Sequence, residues 1–128
     1  MLYPSVRRHG VRKLSVLVVE DDEDVKKLLV AIVSKHGNVD VASDGQKALD
    51  FLESSTYDLV ILDLMLPKIN GLDVAKAIAS LQPQPKLIVF SALSRYFSDR
   101  FPSGTIILQK PQGIDEIDKA LTSIASTM

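Results

Sequence analysis

The residues best suited to chemistry in this chain stand where short apolar runs stop. Glu20, Asp21 and Asp22 follow Leu14-Ser-Val-Leu-Val-Val19, and Asp63 follows Leu59-Val-Ile-Leu62. Ser91 follows Leu87-Ile-Val-Phe90, and Lys110 stands just beyond Thr105-Ile-Ile-Leu108. Oxygen ligands without His or Cys select a hard cation such as Mg2+, which keeps several of its waters. A carboxylate beside such a cation can act as a nucleophile towards phosphorus and form an acyl phosphate. Phosphoryl transfer asks mainly for positioning and charge neutralisation, which a cation and an ammonium supply. A hydroxyl and a backbone N–H can bind the remaining phosphoryl oxygens. No Gly-rich phosphate loop is present, so ATP is not the obvious donor.

Each residue also has an ordinary structural explanation. Acids at 22–24 favour the positive end of a following helix. That reason fits Glu20 and Asp21 poorly, because they abut a buried strand. Asp63 could open a turn. Ser91 and Lys110 could be a loop hydroxyl and a solvated lysine. Taken together these explanations weaken, because several acids and a lysine on one rim would repel or pair unless something used them. His9 and His36 are isolated in sequence and are given no catalytic role. His36 ends a helical stretch, where a cation is favourable.

The elements that must position these residues alternate. The β-branched run 14–19 reads as a buried strand. Val25, Leu28, Leu29, Ile32 and Val33 make a helical stripe, which Gly37 is expected to stop. Val39–Ala42 reads as a second, weaker strand. Ser43-Asp-Gly-Gln46 fits a capping box and opens a helix through Ala48, Leu49 and Leu52. Leu59–Leu62 is continuous in apolarity and reads as a strand buried on both faces. Pro67 and Gly71 mark a loop before a helix through Val74, Ala75 and Ile78. Leu87–Phe90 and Thr105–Leu108 are the remaining strands. Ile114, Ile117, Leu121 and Ile124 line the last helix. The alternation predicts an α/β fold: a doubly wound, five-stranded parallel sheet with helices on both faces. In such sheets ligands sit outside the carboxyl ends of the strands, where the strand order switches. The chemistry-bearing residues fall at those ends.

Composition narrows the classes. The chain has 128 residues, 46% hydrophobic and 24% charged, which suits one domain with a real core. It has no cysteine, which excludes disulfides and thiolate metal sites. Aromatic residues are 5% and Trp is absent, which argues against a stacking platform for single strands. No apolar run is long enough for a membrane span, and no signal-peptide pattern opens the chain, so a cytoplasmic domain is expected. Residues 1–13 carry Arg7, Arg8, Arg12 and Lys13 but none of the sixteen acids. They read as a flexible extension, solvated rather than built to bind nucleic acid. The domain is expected over 14–128.

The segments Val18-Val-Glu-Asp-Asp22, Leu59-Val-Ile-Leu-Asp-Leu-Met-Leu-Pro67 with Asn70-Gly71, Ile88-Val-Phe-Ser-Ala92 and Lys110-Pro111 resemble receiver domains of two-component response regulators. The resemblance spans about residues 14–126. It implies the flavodoxin-like strand order 2-1-3-4-5. It implies that Asp63 is the phosphoacceptor, fed by a histidine kinase or a histidine phosphotransfer protein. Glu20, Asp21, Asp63 and the backbone carbonyl of Met65 would hold Mg2+, Asp21 directly and Glu20 through water. Ser91 would be the switch hydroxyl and Lys110 the partner of the phosphoryl group. The Lys110–Pro111 bond would be cis. The chain would then be a regulatory domain rather than an enzyme, assisting only its own phosphorylation and dephosphorylation.

Two features depart from the family pattern. Many receivers carry Phe or Tyr three residues before the lysine, where this chain has Ile107. The stretch between Ser91 and Lys110 is short, which puts the helix before the fifth strand in doubt. Residues 93–103, with Tyr96, Phe97 and Phe101, are expected to be mobile at rest and to order on phosphorylation. A pseudo-receiver that binds without phosphorylation is the alternative, and a small aspartyl-phosphate phosphatase is a further one. The chain ends soon after its last helix, so no DNA-binding output domain, no direct DNA contact and no membrane contact are expected. The downstream effector is not legible.

Overall fold

The computed structural model describes residues 13–93, 100–111 and 113–127. Among them the chain forms β1 (Leu14–Val19), α1 (Glu23–Ser34), β2 (Gly37–Ala42), α2 (Gly45–Ser54), β3 (Leu59–Leu62), α3 (Gly71–Ala79), β4 (Lys86–Ser91), β5 (Ile106–Gln109) and α4 (Ile114–Thr127). All four strand pairings are parallel, in the order β2-β1-β3-β4-β5. This is the expected doubly wound sheet, with its switch of strand order between β1 and β3. The expected segment 93–103 falls largely outside the described residues. So does the question of a helix before β5.

Strand periodicity divides the core. Leu17, Val19, Val60, Leu62, Leu87 and Val89 face one way and pack on Ala48 and Leu52 of α2 and Val74, Ala75 and Ile78 of α3. Their neighbours Val16, Val18, Leu59, Ile61, Ile88 and Phe90 face the other way, onto Leu29 and Val33 of α1 and Ile117, Leu121 and Ile124 of α4. Helices therefore cover both faces, and β3 is buried along its whole length. Leu93 and Phe101, which flank the undescribed stretch, pack against the first of these cores.

Two local expectations change. Gly37 does not stop α1, which ends at Ser34 with Lys35 as its cap. Gly37 instead opens β2, extending that strand beyond the expected Val39–Ala42. A Cβ there would lie 2.0 Å from the Leu14 carbonyl oxygen, so only glycine lets β2 come this close to β1. The cap of α2 is Asp44 rather than Ser43. Asp44 Oδ1 accepts the Lys47 N–H at 2.8 Å, while Ser43 Oγ pairs with Lys26 Nζ at 2.8 Å. The hydroxyl is one residue too early to reach the orphan N–H groups of the helix.

Candidate functional site

The carboxyl ends of β1 and β3 put acids side by side. The register sets Val19 beside Leu62, so Glu20 and Asp63 leave the sheet at one level. Both backbones stay tied as they leave: the Glu20 N–H donates to Ala42 and the Asp63 N–H to Val19. Glu20 is 1% exposed and Asp63 6%, which is unusual for acids. Carboxylate oxygens of Glu20, Asp21 and Asp63 all come within 4.8 Å of one another.

One cation answers them. Lys110 Nζ lies 2.8 Å from Glu20 Oε1 and 2.9 Å from Asp63 Oδ2. Its position follows from β5, which ends one residue earlier, and from the Lys110 N–H bond to the Ser91 carbonyl at 3.1 Å. The Lys110–Pro111 bond is cis, as expected; Gln82–Pro83 is cis as well. The second oxygens are also engaged: Glu20 Oε2 accepts the Asp22 N–H and Asp63 Oδ1 the Met65 N–H, both at 3.1 Å. Burial pushes the Glu20 carboxyl above its usual range, against the opposing pull of Lys110 and the Asp22 N–H. Burial alone would lower the Lys110 ammonium, but its bonds to Glu20 and Asp63 outweigh that and hold it above the ordinary lysine value.

Asp21 is exposed at the mouth of the cleft. Asp22 has a different task. Its Oδ1 accepts the N–H groups of Asp24 and Val25, capping α1, and the Val25 N–H holds its carboxyl below the usual range. The cleft, of about 540 Å3, is lined by Glu20, Asp21, Asp22, Asp63, Met65 and Lys110, among others. Ser91 does not line it. It lies fully buried at the end of β4, where its Oγ accepts the Leu93 N–H at 3.3 Å.

Helix α3 fixes the loop after Asp63. Asn70 caps it, accepting the Leu72 N–H at 2.7 Å. The Gly71 N–H then bonds the Leu64 carbonyl at 3.0 Å. A Cβ on Gly71 would fall 2.4 Å from Leu64 Cα and 2.7 Å from the Asp63 carbonyl oxygen. Glycine is therefore required for α3 to seat against the exit of β3.

The sequence profile described as the response regulator receiver domain matches residues 16–122. The chain belongs to this family. Response regulator ArlR of Staphylococcus aureus is 40% identical over 82 residues, covering 63% of this chain and 37% of ArlR. The chain thus spans little more than a third of the curated relatives it matches, at 37% of their length. The receiver domain of the Francisella response regulator 1452 superposes with a TM-score of 0.77 at 25% identity, covering 90% of this chain and 98% of that one. TrrA from Thermotoga maritima, solved in complex with Mg2+ and BeF, gives 0.72 at 32% identity, covering 85% and 96%.

The receiver rim also holds contacts that the motifs did not mark. Gln109 stands beside Ser91 in the β4–β5 register, and its Nε2 donates to the Ala92 carbonyl. Its place next to Lys110 and opposite Ser91 was the only available signal. Phe90 carries Lys110 Nζ over its ring at 5.7 Å from the centroid. Ile107, which stands where relatives often carry an aromatic ring, is half-buried beside Val89. His36, far from the rim in sequence, bonds Asp118 Oδ1 through Nε2 at 2.8 Å and ties the end of α1 to α4. No helix among the described residues is long and apolar enough to cross a membrane.

Proposed function

We propose that this receiver is a phosphorylation-controlled signalling switch. In this reading Asp63 accepts a phosphoryl group from a phosphohistidine of a histidine kinase or a histidine phosphotransfer protein. One observation carries the reading. A 6%-exposed Asp63 carboxylate pairs with Lys110 at 2.9 Å while sharing its cleft with two more acids. An acid needed only for a turn would gain nothing from burial beside like charges.

In the transfer, an Asp63 carboxylate oxygen bonds to phosphorus as the phosphorus–nitrogen bond of the donor breaks. The imidazole nitrogen keeps that electron pair and takes a proton. In the later discharge, a water oxygen bonds to phosphorus and gives up a proton, the aspartyl oxygen leaves with its electron pair, and inorganic phosphate is released. Lys110 neutralises Asp63 before transfer and follows the charge onto the phosphoryl oxygens. Ser91 turns its hydroxyl to another of those oxygens, a rotamer change that its long bond to Leu93 permits.

Glu20, Asp21 and Asp63, with the Met65 carbonyl, would hold Mg2+, Asp21 directly and Glu20 through water. The fit is chemical: three carboxylates against one ammonium leave negative charge over, and every donor is an oxygen. A bound Mg2+ supplies positive charge to the oxygens that gain electrons. The TrrA complex with Mg2+ and BeF supports this assignment. The domain works in the cytoplasm on a downstream effector and catalyses nothing beyond its own charging and discharge.

Acetyl phosphate with Mg2+ tests the reading. Intact mass should show one added phosphoryl group on the wild type and none on Asp63→Asn. Equal labelling of both would overturn the assignment, and no labelling of either would favour a pseudo-receiver.

A further inference from the structure

The chain leaves β4 through two peptide units that are both turned the same way. In the first, the Ser91 carbonyl accepts the Lys110 N–H at 3.1 Å, on the β5 side. In the second, the Ala92 carbonyl accepts Gln109 Nε2, also from β5. A trans peptide sets its N–H opposite its carbonyl. The Ala92 and Leu93 N–H groups therefore both point away from β5. Strand β4 lies between β5 and β3, so they point to the side from which Asp63 emerges. The Leu93 N–H already meets the Ser91 hydroxyl oxygen there, at 3.3 Å. Successive N–H groups facing one way form a concavity for anionic oxygens.

The first of these units is set by the sheet ladder. The second is set by a side chain, and that side chain is held at a cost. Gln109 Oε1 is buried without a hydrogen-bond partner, the only such side-chain atom among the described residues. An apolar residue at position 109 would avoid this cost. A stranded oxygen in a native fold calls for a reason. The donor end of the same amide provides one.

We propose that Gln109 is a positioning residue for phosphoryl transfer. Its Nε2 pins the Ala92 carbonyl so that the Ala92 and Leu93 N–H groups, together with Ser91 Oγ, face the phosphoryl oxygens on Asp63. This rests on the phosphorylation reading above. Gln109 touches neither phosphorus nor cation; it acts through the backbone of residues 92 and 93. Ile107, being β-branched and stiff, leaves this chain without the ring that could wedge the same segment from the side.

Gln109→Leu keeps the volume and deletes the donor; Gln109→Glu keeps the length and also deletes the donor. Both are compared with wild type in three measurements: the rate of phosphorylation by acetyl phosphate, Mg2+ affinity without phosphodonor, and melting temperature. The expected result is phosphorylation slowed about tenfold in both variants. Mg2+ affinity stays at the wild-type value, because its proposed ligands follow β1 and β3, not β5. Gln109→Leu melts no lower than wild type, because the stranded oxygen is gone. Wild-type phosphorylation rates in both variants would overturn the proposal. So would a fall in Mg2+ affinity or melting temperature in step with the rate, which marks a merely structural role. Should Gln109→Leu fail to fold, Gln109→Glu decides on the same rate and affinity. An unlabelled wild type overturns the phosphorylation reading, whereas a labelled wild type with unaffected variants overturns only the role of Gln109.

Discussion

At the base of the sheet, Asp58 Oδ2 accepts the Ser15 N–H at 2.8 Å, and the Tyr57 hydroxyl donates to Asp40 at 2.7 Å. At the carboxyl rim, Glu20 and Asp63 share one lysine, with Asp21 close beside them. The two ends use the same residue types. At the base each acid meets a donor, as polar groups in a sheet normally do. At the rim the acids outnumber the base, and two of them are buried. Cleft volume does not mark the difference. A cleft of about 680 Å3 opens at the base, but Glu53 is the only charged residue that lines it. What separates the ends is uncompensated charge, which a fold keeps only where something else will balance it.

The comparison can be broken most sharply at Lys110. Lys110→Met leaves two buried carboxylates without their cation, and unfolding in urea at neutral pH should show a loss of about 3 kcal/mol. A loss below about 1 kcal/mol would mean that solvent already balances the rim. Asp58→Ala tests the other end. It removes the bond to the Ser15 N–H and strands that amide, so the same measurement should show a loss of about 1.5 kcal/mol.

Adding the missing charge sharpens the contrast. At about ten times its dissociation constant, Mg2+ should stabilise the wild type by about 1.4 kcal/mol. Asp21→Asn should lose most of that gain and Glu20→Gln less, since a direct ligand contributes a bond as well as charge. A gain that survives Asp21→Asn would move the metal to other oxygens. The smallest effect concerns Tyr57. Burial first, then its bond to Asp40, pushes its hydroxyl up to about 12. A raised folded value means that the native state holds this proton more tightly. Its stabilisation is full below about pH 10, the value for an unfolded tyrosine, and fades as pH rises towards 12. Tyr57→Phe should therefore cost about 1 kcal/mol at neutral pH and nothing near the upper limit. Tyrosinate absorbance should show one late-titrating group that the variant lacks.

Much of this was legible in one dimension. Leu59–Leu62 matched β3 residue for residue, because a run buried on both faces leaves no polar position to blur its ends. Glu20 and Asp63 were visible because each ends an apolar run at once, and Asp21 and Lys110 because each stands two residues beyond one. Gly37 misled because glycine serves two purposes, ending helices and admitting close strands, and only the neighbouring backbone tells which. Ser43 misled because Ser43 and Asp44 are both good caps, and a one-residue shift decides between them. His36 looked isolated because its partner, Asp118, is far along the chain and shares no motif with it. Gln109 gave no sign beyond its place next to Lys110, because its contact is with a backbone carbonyl, which every residue has.

The tight seat of Gly71 has a genetic consequence. If the proposed switch is right, a search for mutants that lose signalling will return the acids and the lysine, and it will also return this residue, which carries no functional group at all. A single added methyl would push α3 off the exit of β3 and carry Asp63 out of line with Glu20 and Lys110. Such a mutant would keep its full complement of charged side chains and lose only their alignment. Position 71 is therefore the place where an allele could silence the switch while leaving its chemistry spelled out intact.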